Sequence, residues 1–201
     1  HDRLGLRCRN NEIEIAHRNV APPGFDCETD QGFLSVDVAP MPLFGGGHRS
    51  HVTSSCHTET GKRNVTDASA LDNFIRKLSS KIDTHRDEIV RIEDDTDGAD
   101  IAIFAYGTVF RSAKEAAMEA RNAGMNVGTF RPVTVWPFPD REITELSRRV
   151  DAILVLENNL GQLLPYVKAA AECPVHFLEP ETLGTLHTVD HVMRTLREVA
   201  R

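Results

Sequence analysis

Three short segments carry side chains that could bind a ligand or a partner, and each follows an apolar or β-branched run. Their candidate residues are Tyr106, Gly107 and Thr108 in the first, Trp136 and Phe138 in the second, and Asn158, Asn159 and Gln162 in the third. Because ligands and partners of open parallel sheets gather at the carboxyl ends of the strands, we expect the three segments to share one rim.

Each segment has two interpretations. Backbone N–H groups and the hydroxyl of Thr108 could bind an anion at a helix N-terminus, but a turn with a helix cap is favoured. Trp136 and Phe138 stand among prolines and form a rigid aromatic pair, which belongs either to the local core or to a subunit interface. Asn158 and Asn159 could bind a ligand, but capping or turn formation is favoured.

A further candidate lies between His48 and Glu59, where three histidines, a cysteine and a carboxylate fall within a dozen residues. This composition suggests zinc, but the spacing matches no established site, and the segment that begins at His51 has the alternation of a strand. Cys56 and His57 lack an orienting third group, so a nucleophile pair is not favoured either. We assign no catalytic or metal-binding residue and keep His51 and His57 as candidate interface or rim residues.

Strands and helices that alternate from residue 101 onwards must position the rim. The apolar runs predict strands over 101–105, 126–130, 152–156 and 175–178. Helical patterns follow over 112–122, 140–150, 161–171 and 188–200, with Gly124 ending the first and Pro165 in the first turn of the third. This alternation predicts an α/β domain, a three-layer open sheet that is mostly parallel, with right-handed crossovers.

The first part of the chain is different. Residues 1–65 contain Pro and Gly runs and one short strand pattern at 12–15, which predicts an irregular linker or extension from a missing N-terminal domain. Residues 66–201 would form the α/β domain. It opens with an amphipathic helix over 67–82 capped by Thr66 or Asp67, and a polar segment at 86–93 then leads into an acidic turn at 94–98.

Composition excludes several classes of function. The 201 residues are 40% hydrophobic and 26% charged, which is an ordinary globular balance, and the formal charge of −7 argues against binding a phosphate backbone. No apolar run approaches the roughly 20 residues of a membrane span. The four cysteines form no C-x-x-C pair, so we expect reduced thiols and a cytoplasmic protein. The chain begins without Met, and we interpret His1 as an internal cut.

Several segments, in order along the chain, resemble the α subunit of 2-oxoacid:ferredoxin oxidoreductases. The similar segments are 41–49, 51–53, 103–113, 127–139 and 157–163. Together they identify the chain with the C-terminal portion of that subunit, a transketolase C-terminal-like domain II with its preceding linker. Departures from the family pattern occur at Ser54, Thr58 and Leu183–Thr185, and they leave the particular 2-oxoacid open.

The resemblance implies a function for the whole complex rather than for this portion. The complex decarboxylates a 2-oxoacid such as 2-oxoglutarate, passes electrons to ferredoxin and forms an acyl-CoA. Its thiamine diphosphate, Mg, iron–sulfur cluster and CoA would be held by the N-terminal domain and the β subunit, and none by this fragment alone. The fragment would serve assembly within an oligomer. A transketolase or E1-type thiamine enzyme, or a stand-alone module for an anion or nucleotide, remains the alternative.

Overall fold

The computed structural model describes residues 19–26, 40, 42–47, 55–58 and 62–200. The chain divides into two compact units, His1–Thr84 and His85–Arg201, which are described separately. The predicted strands at 12–15 and at His51 lie outside the described residues.

One long helix dominates the described part of the first unit. Helix α1 spans Ala68–Thr84, which confirms the predicted amphipathic helix. The carboxylate of Asp67 accepts hydrogen bonds from the backbone N–H groups of Ser69 and Ala70, at 2.9 and 3.3 Å, and so caps the helix as expected. The boundary at residues 65/66 stays a prediction.

The second unit is built on one five-stranded sheet. Its strands are β1 (Ile92–Asp95), β2 (Ile101–Ala105), β3 (Val127–Pro132), β4 (Ala152–Leu156) and β5 (Val175–Leu178), in the order β1-β3-β2-β4-β5. Its helices are α2 (Arg86–Ile89), α3 (Phe110–Asn122), α4 (Asp140–Ser147), α5 (Leu164–Ala170) and α6 (Val189–Val199), with a 3₁₀ turn at Gly107–Val109.

Strands β2 to β5 run parallel to one another. A helix connects each of them to the next along the chain, as parallel pairing requires. Strand β1 pairs antiparallel with β3, Ile92 opposite Pro132 and Asp95 opposite Thr129. The sequence predicted a polar segment and an acidic turn in this region, and the strand was missed. Three of its four residues are exposed, because it is an edge strand, and they show no apolar alternation.

Helices cover both faces of the sheet, which confirms the three-layer, mostly parallel α/β fold. Ile101 and Ile103 of β2 pack with α3 and α6 on one face, in a cluster that includes Ala116 and Leu196. Phe104, from the opposite face of the same strand, packs with α4 and α5 in a second cluster. Because side chains of a strand alternate between faces, two separate cores require the continuous apolar runs seen in the sequence.

Two glycines fix local geometry. Gly124 ends α3 with a φ of 84°, as its position after the helical pattern predicted. Gly128 lies in β3 where the chain leaves β1, and a Cβ there would come within 2.5 Å of the Asp95 carbonyl oxygen. Within the described residues, no helix is both long and apolar enough to span a membrane.

Candidate functional site: the rim at the carboxyl ends of the parallel strands

The candidate residues of the three segments lie where β2, β3 and β4 end. Tyr106 follows β2 directly, Trp136 and Phe138 lie in the segment between β3 and α4, and Asn158, Asn159 and Gln162 follow β4. Because the three strands are adjacent and parallel, their following segments share one edge of the sheet. Tyr106 is joined directly by hydrogen bonds to Glu157 and Asn159.

A buried carboxylate organises this rim. Glu157 comes immediately after β4 and is fully buried. Its two oxygens accept hydrogen bonds from the Tyr106 hydroxyl, at 3.0 Å, and from the backbone N–H groups of Leu163 and Leu164, at 2.9 to 3.1 Å. The N–H donors belong to the start of α5, where the helix dipole also favours a negative charge. Glu157 therefore ties the end of β4, the start of α5 and the segment after β2 together.

The sequence segment contained Glu157, but its role was missed. The available signal was an acidic residue placed directly at the end of a fully apolar strand, ahead of a helix N-terminus. A charge in that position must be hydrogen-bonded if it is buried, and N-terminal N–H groups are the nearest donors.

Tyr106 extends the network towards solvent. Burial raises the pKa of its phenol, and so does its hydrogen bond to the Glu157 carboxylate, while the hydrogen bond from the Asn159 amide, at 3.2 Å, lowers it. The phenol thus donates to a carboxylate and accepts from an amide, and the net effect on its pKa is upward. Gly107 and Thr108 follow in the exposed 3₁₀ turn, and Gly107 has a φ of 56°.

The asparagines after β4 form a turn. The side-chain oxygen of Asn159 accepts from the backbone N–H groups of Gly161 and Gln162, at 2.8 and 2.9 Å. The buried side-chain oxygen of Asn158 finds no donor among the described residues, and Gln162 is exposed. An open cavity of about 410 Å³ lies against this turn and is bordered on its far side by Leu183.

The two aromatic residues between β3 and α4 separate into different roles. Phe138 is half-buried, packs against the α4 and α5 core cluster and contacts the Tyr166 ring at 5.5 Å. Trp136 is 72% exposed. Phe138 therefore belongs to the local core, and the interface alternative stays a prediction for the exposed Trp136.

Arg86 holds this segment in place from α2. Its guanidinium donates to both oxygens of Glu142, to Asp140 and to the Phe138 carbonyl, over 2.7 to 3.3 Å. These bonds raise the pKa of Arg86, and the hydrogen bond from Arg86 lowers the pKa of Glu142. Burial pushes the pKa of Asp140 up, but hydrogen bonds to the carboxylate outweigh it and the pKa is lowered.

The two rim segments after β3 and β4 are free of charge. Residues 133–139 and 158–164 contain no ionisable side chain, in a chain that is 26% charged, whereas the segment after β5 carries Glu179 and Glu181. Most of the exposed large apolar side chains described in the second unit lie in the segments after the parallel strands or in the first turn of α5: Val133, Val135, Trp136, Leu160, Tyr166, Leu183 and Leu186. Met118, on α3, is the exception. Loss of charge combined with exposed aromatic and aliphatic groups is typical of protein interfaces.

The histidine-rich segment is described only in part. His51 lies outside the described residues. His57 pairs with Arg63 in an isolated bridge, hydrogen-bonds the Thr58 carbonyl through Nδ1 at 2.9 Å and contacts the edge of Phe74 at 4.7 Å. Across the described ranges, no three His, Cys, Asp or Glu side chains come together as a metal site would need.

The profile of the pyruvate:ferredoxin oxidoreductase core domain II matches residues 99–197, from β2 to α6. The chain belongs to this family.

Curated relatives of this oxidoreductase domain agree with the match. The 2-oxoglutarate synthase subunit KorA of Methanothermobacter marburgensis is 35% identical over 158 residues, which are 78% of this chain and 42% of that protein. The KorA subunit of Methanocaldococcus jannaschii is 30% identical over 188 residues, which are 93% of this chain and 50% of that protein. The chain thus spans about half the length of the curated relatives it matches.

A solved oxidoreductase shares the fold. The 2-oxoglutarate:ferredoxin oxidoreductase from Magnetococcus marinus, solved with 2-oxoglutarate, coenzyme A and succinyl-CoA bound, matches with a TM-score of 0.77 at 20% identity. The match covers 95% of this chain and 34% of that chain.

Proposed function

We propose that the chain is the C-terminal portion of the α subunit of a 2-oxoacid:ferredoxin oxidoreductase and that its role is assembly. The whole complex would oxidatively decarboxylate a 2-oxoacid such as 2-oxoglutarate to the acyl-CoA, in the cytoplasm, and pass the electrons to ferredoxin. The proposal is supported by the family match and by KorA relatives named as subunits of 2-oxoglutarate synthase.

The observation that carries the assembly role is the pair of uncharged rim segments after β3 and β4, with their exposed apolar side chains. Trp136 and Leu160 are 72% and 70% exposed on segments that hold no ionisable side chain. Exposing such groups to water is unfavourable, whereas burying them against another protein surface is favourable by about 25 cal/mol per Å². The partner surface would belong to the β subunit or to the N-terminal domain of the α subunit.

The assignment of the cofactors within the complex rests on the family resemblance. We propose that thiamine diphosphate, Mg, the iron–sulfur cluster and CoA are held by the N-terminal domain and the β subunit. Among the described residues, no three His, Cys, Asp or Glu side chains come together. We derive no chemical step on this chain.

The test introduces a charge into the rim. Trp136→Glu and Leu160→Glu would be placed in the full α subunit, which would be co-expressed with its β subunit. Met118→Glu is the matched control, since Met118 is 51% exposed on α3, outside the segments that follow the strands. We expect each rim variant to weaken subunit association at least tenfold, as loss of an interface anchor does, with the control unchanged.

Size-exclusion chromatography would measure subunit association. Reduction of ferredoxin that depends on 2-oxoglutarate would measure turnover by the assembled complex. Far-ultraviolet circular dichroism would establish that each variant is folded. Normal assembly of both folded rim variants would contradict the assembly role. Assembly without any 2-oxoacid turnover in the unaltered complex would contradict the proposed reaction instead.

A further inference from the structure

The loop between β5 and α6, residues 179–188, is closed by one buried histidine. His187 is 3% exposed, and its Nε2 donates to the carbonyl of Leu178, the last residue of β5, at 3.0 Å. This hydrogen bond joins the two ends of the loop. The only other buried residue between them is Pro180, while residues 181–186 are exposed.

The hydrogen bond determines which nitrogen of His187 carries the proton. A carbonyl oxygen can only accept, so Nε2 holds the hydrogen and Nδ1 holds a lone pair. That Nδ1 is buried and has no hydrogen-bonding partner among the described residues. A second proton would have to be placed on Nδ1, where no described group accepts from it, and an unpaired buried charge is strongly unfavourable.

The charged and titratable groups around His187 do not stabilise a second proton on its ring. The ring of His191, in the first turn of α6, stacks on it with centroids 6.1 Å apart, and its Nδ1 is buried and equally unpartnered. The N-terminal end of α6 adds a positive potential. Glu181 is the nearby opposite charge, but it is about half exposed and is paired with Arg194 at 3.0 Å.

We propose that His187 is an acid-sensitive latch: protonation of its ring opens the loop at residues 179–188 and removes Leu183 from the rim cavity. The neutral ring fits the closed loop, and the imidazolium fits only an open loop in which water solvates it. Leu183 and Leu186 are the exposed apolar residues of this loop, so opening it changes the surface beside Asn158. The latch does not require the assembly role, and its test uses no partner subunit.

The lowered pKa of His187 supports this direction. Burial is its main cause, and the neighbouring His191 adds to it. A histidine whose pKa is lower in the closed state stabilises that state above the ordinary pKa of about 6.5, and this stabilisation is lost as the pH falls towards the lowered pKa.

The test is hydrogen exchange of the full chain at pH 7.5 and 5.5, corrected for intrinsic rates with an unstructured peptide. We expect exchange in 179–188 to rise several-fold at pH 5.5 relative to α3, towards the limit of about tenfold that an open-state pKa of about 6.5 allows. In His187→Gln, the side-chain amide can still donate to Leu178 but does not titrate, so the loop should stay protected at both pH values. Equal protection of the unaltered loop at both pH values would overturn the latch, and so would acid opening in His187→Gln.

A second variant and a direct readout keep the test decisive if His187→Gln does not fold. His191→Gln keeps the hydrogen bond from His187 to Leu178 and removes the neighbouring ring. The acid-induced gain in exchange should therefore shrink, and an unchanged gain would contradict the proposal.

Carbon-13 spectra of the imidazoles should give His187 the Nε2–H tautomer at pH 7.5 and a pKa below 6.5. An ordinary or raised pKa would overturn it.

Discussion

At the scale of single residues, a buried carboxylate and a phenol account for how the rim is held together. Glu157 accepts from two backbone N–H groups and from Tyr106, whose oxygen in turn accepts from Asn159. Glu157 lacks access to water, whereas Tyr106 and Asn159 are half-buried, so the carboxylate depends on its protein donors for hydrogen bonds. Because low-dielectric surroundings strengthen satisfied networks and penalise broken ones, single substitutions here should have large effects.

Glu157→Gln should destabilise the second unit by about 2–4 kcal/mol, because one acceptor oxygen becomes an NH₂ group that meets the donors of Leu163, Leu164 or Tyr106. Urea unfolding at pH 7 would measure it. Glu172→Gln is the matched control: Glu172 pairs with Arg148 at 2.6 Å, but both side chains are more than half exposed. Such a solvent-screened surface pair contributes little to stability. Equal effects of the two substitutions would contradict the role given to Glu157.

Tyr106 should titrate at higher pH than an ordinary phenol, since burial and Glu157 raise its pKa. The chain has two tyrosines, so Tyr166→Phe leaves Tyr106 as the only phenol. Absorbance at 295 nm should then show ionisation above pH 10. A raised pKa in the folded state means that this stabilisation is complete below about pH 10 and is lost as the pH rises through the folded pKa. Ionisation at or below pH 10 would contradict the network.

At the scale of elements, the segment between β3 and α4 depends on an arginine far from it in sequence. Arg86 on the four-residue helix α2 reaches Phe138, Asp140 and Glu142, more than 50 positions later. A bidentate guanidinium–carboxylate pair fixes orientation as well as distance. It thereby fixes the position of this segment, in which Phe138 packs against the core and Trp136 is exposed.

Arg86→Lys should destabilise the second unit by about 1–3 kcal/mol, because an ammonium cannot make the bidentate bond. The effect should depend on pH: the pKa values of Glu142 and Asp140 are lowered by Arg86. Their stabilisation is present above the ordinary carboxyl pKa of about 4 and is lost as the pH falls through the lowered folded values. The free energy of unfolding would be measured at pH 7, 5 and 3. It should fall less with decreasing pH in Arg86→Lys than in the unaltered protein. The same pH dependence in both proteins would contradict the role given to Arg86.

At the scale of the whole molecule, the two units of the chain differ in how many buried core residues the structure describes in each. The sheet and both core clusters lie within residues 85–201, whereas the described helix of the first unit has no buried residue. An amphipathic helix needs a packed face to be stable in water.

Residues 85–201 should therefore fold without the rest of the chain, in one cooperative transition. A protein of residues 66–201, the boundary that the sequence predicts, is the comparison. We expect the two to melt within a few degrees of each other, because α1 adds no buried residue. A lower melting temperature or a loss of cooperativity in 85–201 would assign α1 to the folding unit of the sheet.

The sequence alone determined the parallel α/β architecture. Strands β2 and β4 are continuous apolar runs, and Gly124 and Pro165 mark helix ends by their backbone conformation. These signals are local, so they can be read without a structure. The family resemblance is local in the same sense, because it rests on the short segments after the strands.

Tertiary structure alone decided which of those residues act together. Strand β1 pairs with β3 although its own residues are polar and exposed, Glu157 is buried by the start of α5, and Arg86 reaches across to α4. Hydrogen-bond partners distant in sequence leave no periodic signal, and an acidic residue after a strand looks the same whether it is solvated or enclosed. The division of Trp136 and Phe138 between surface and core has the same origin, since it depends on what packs beside them.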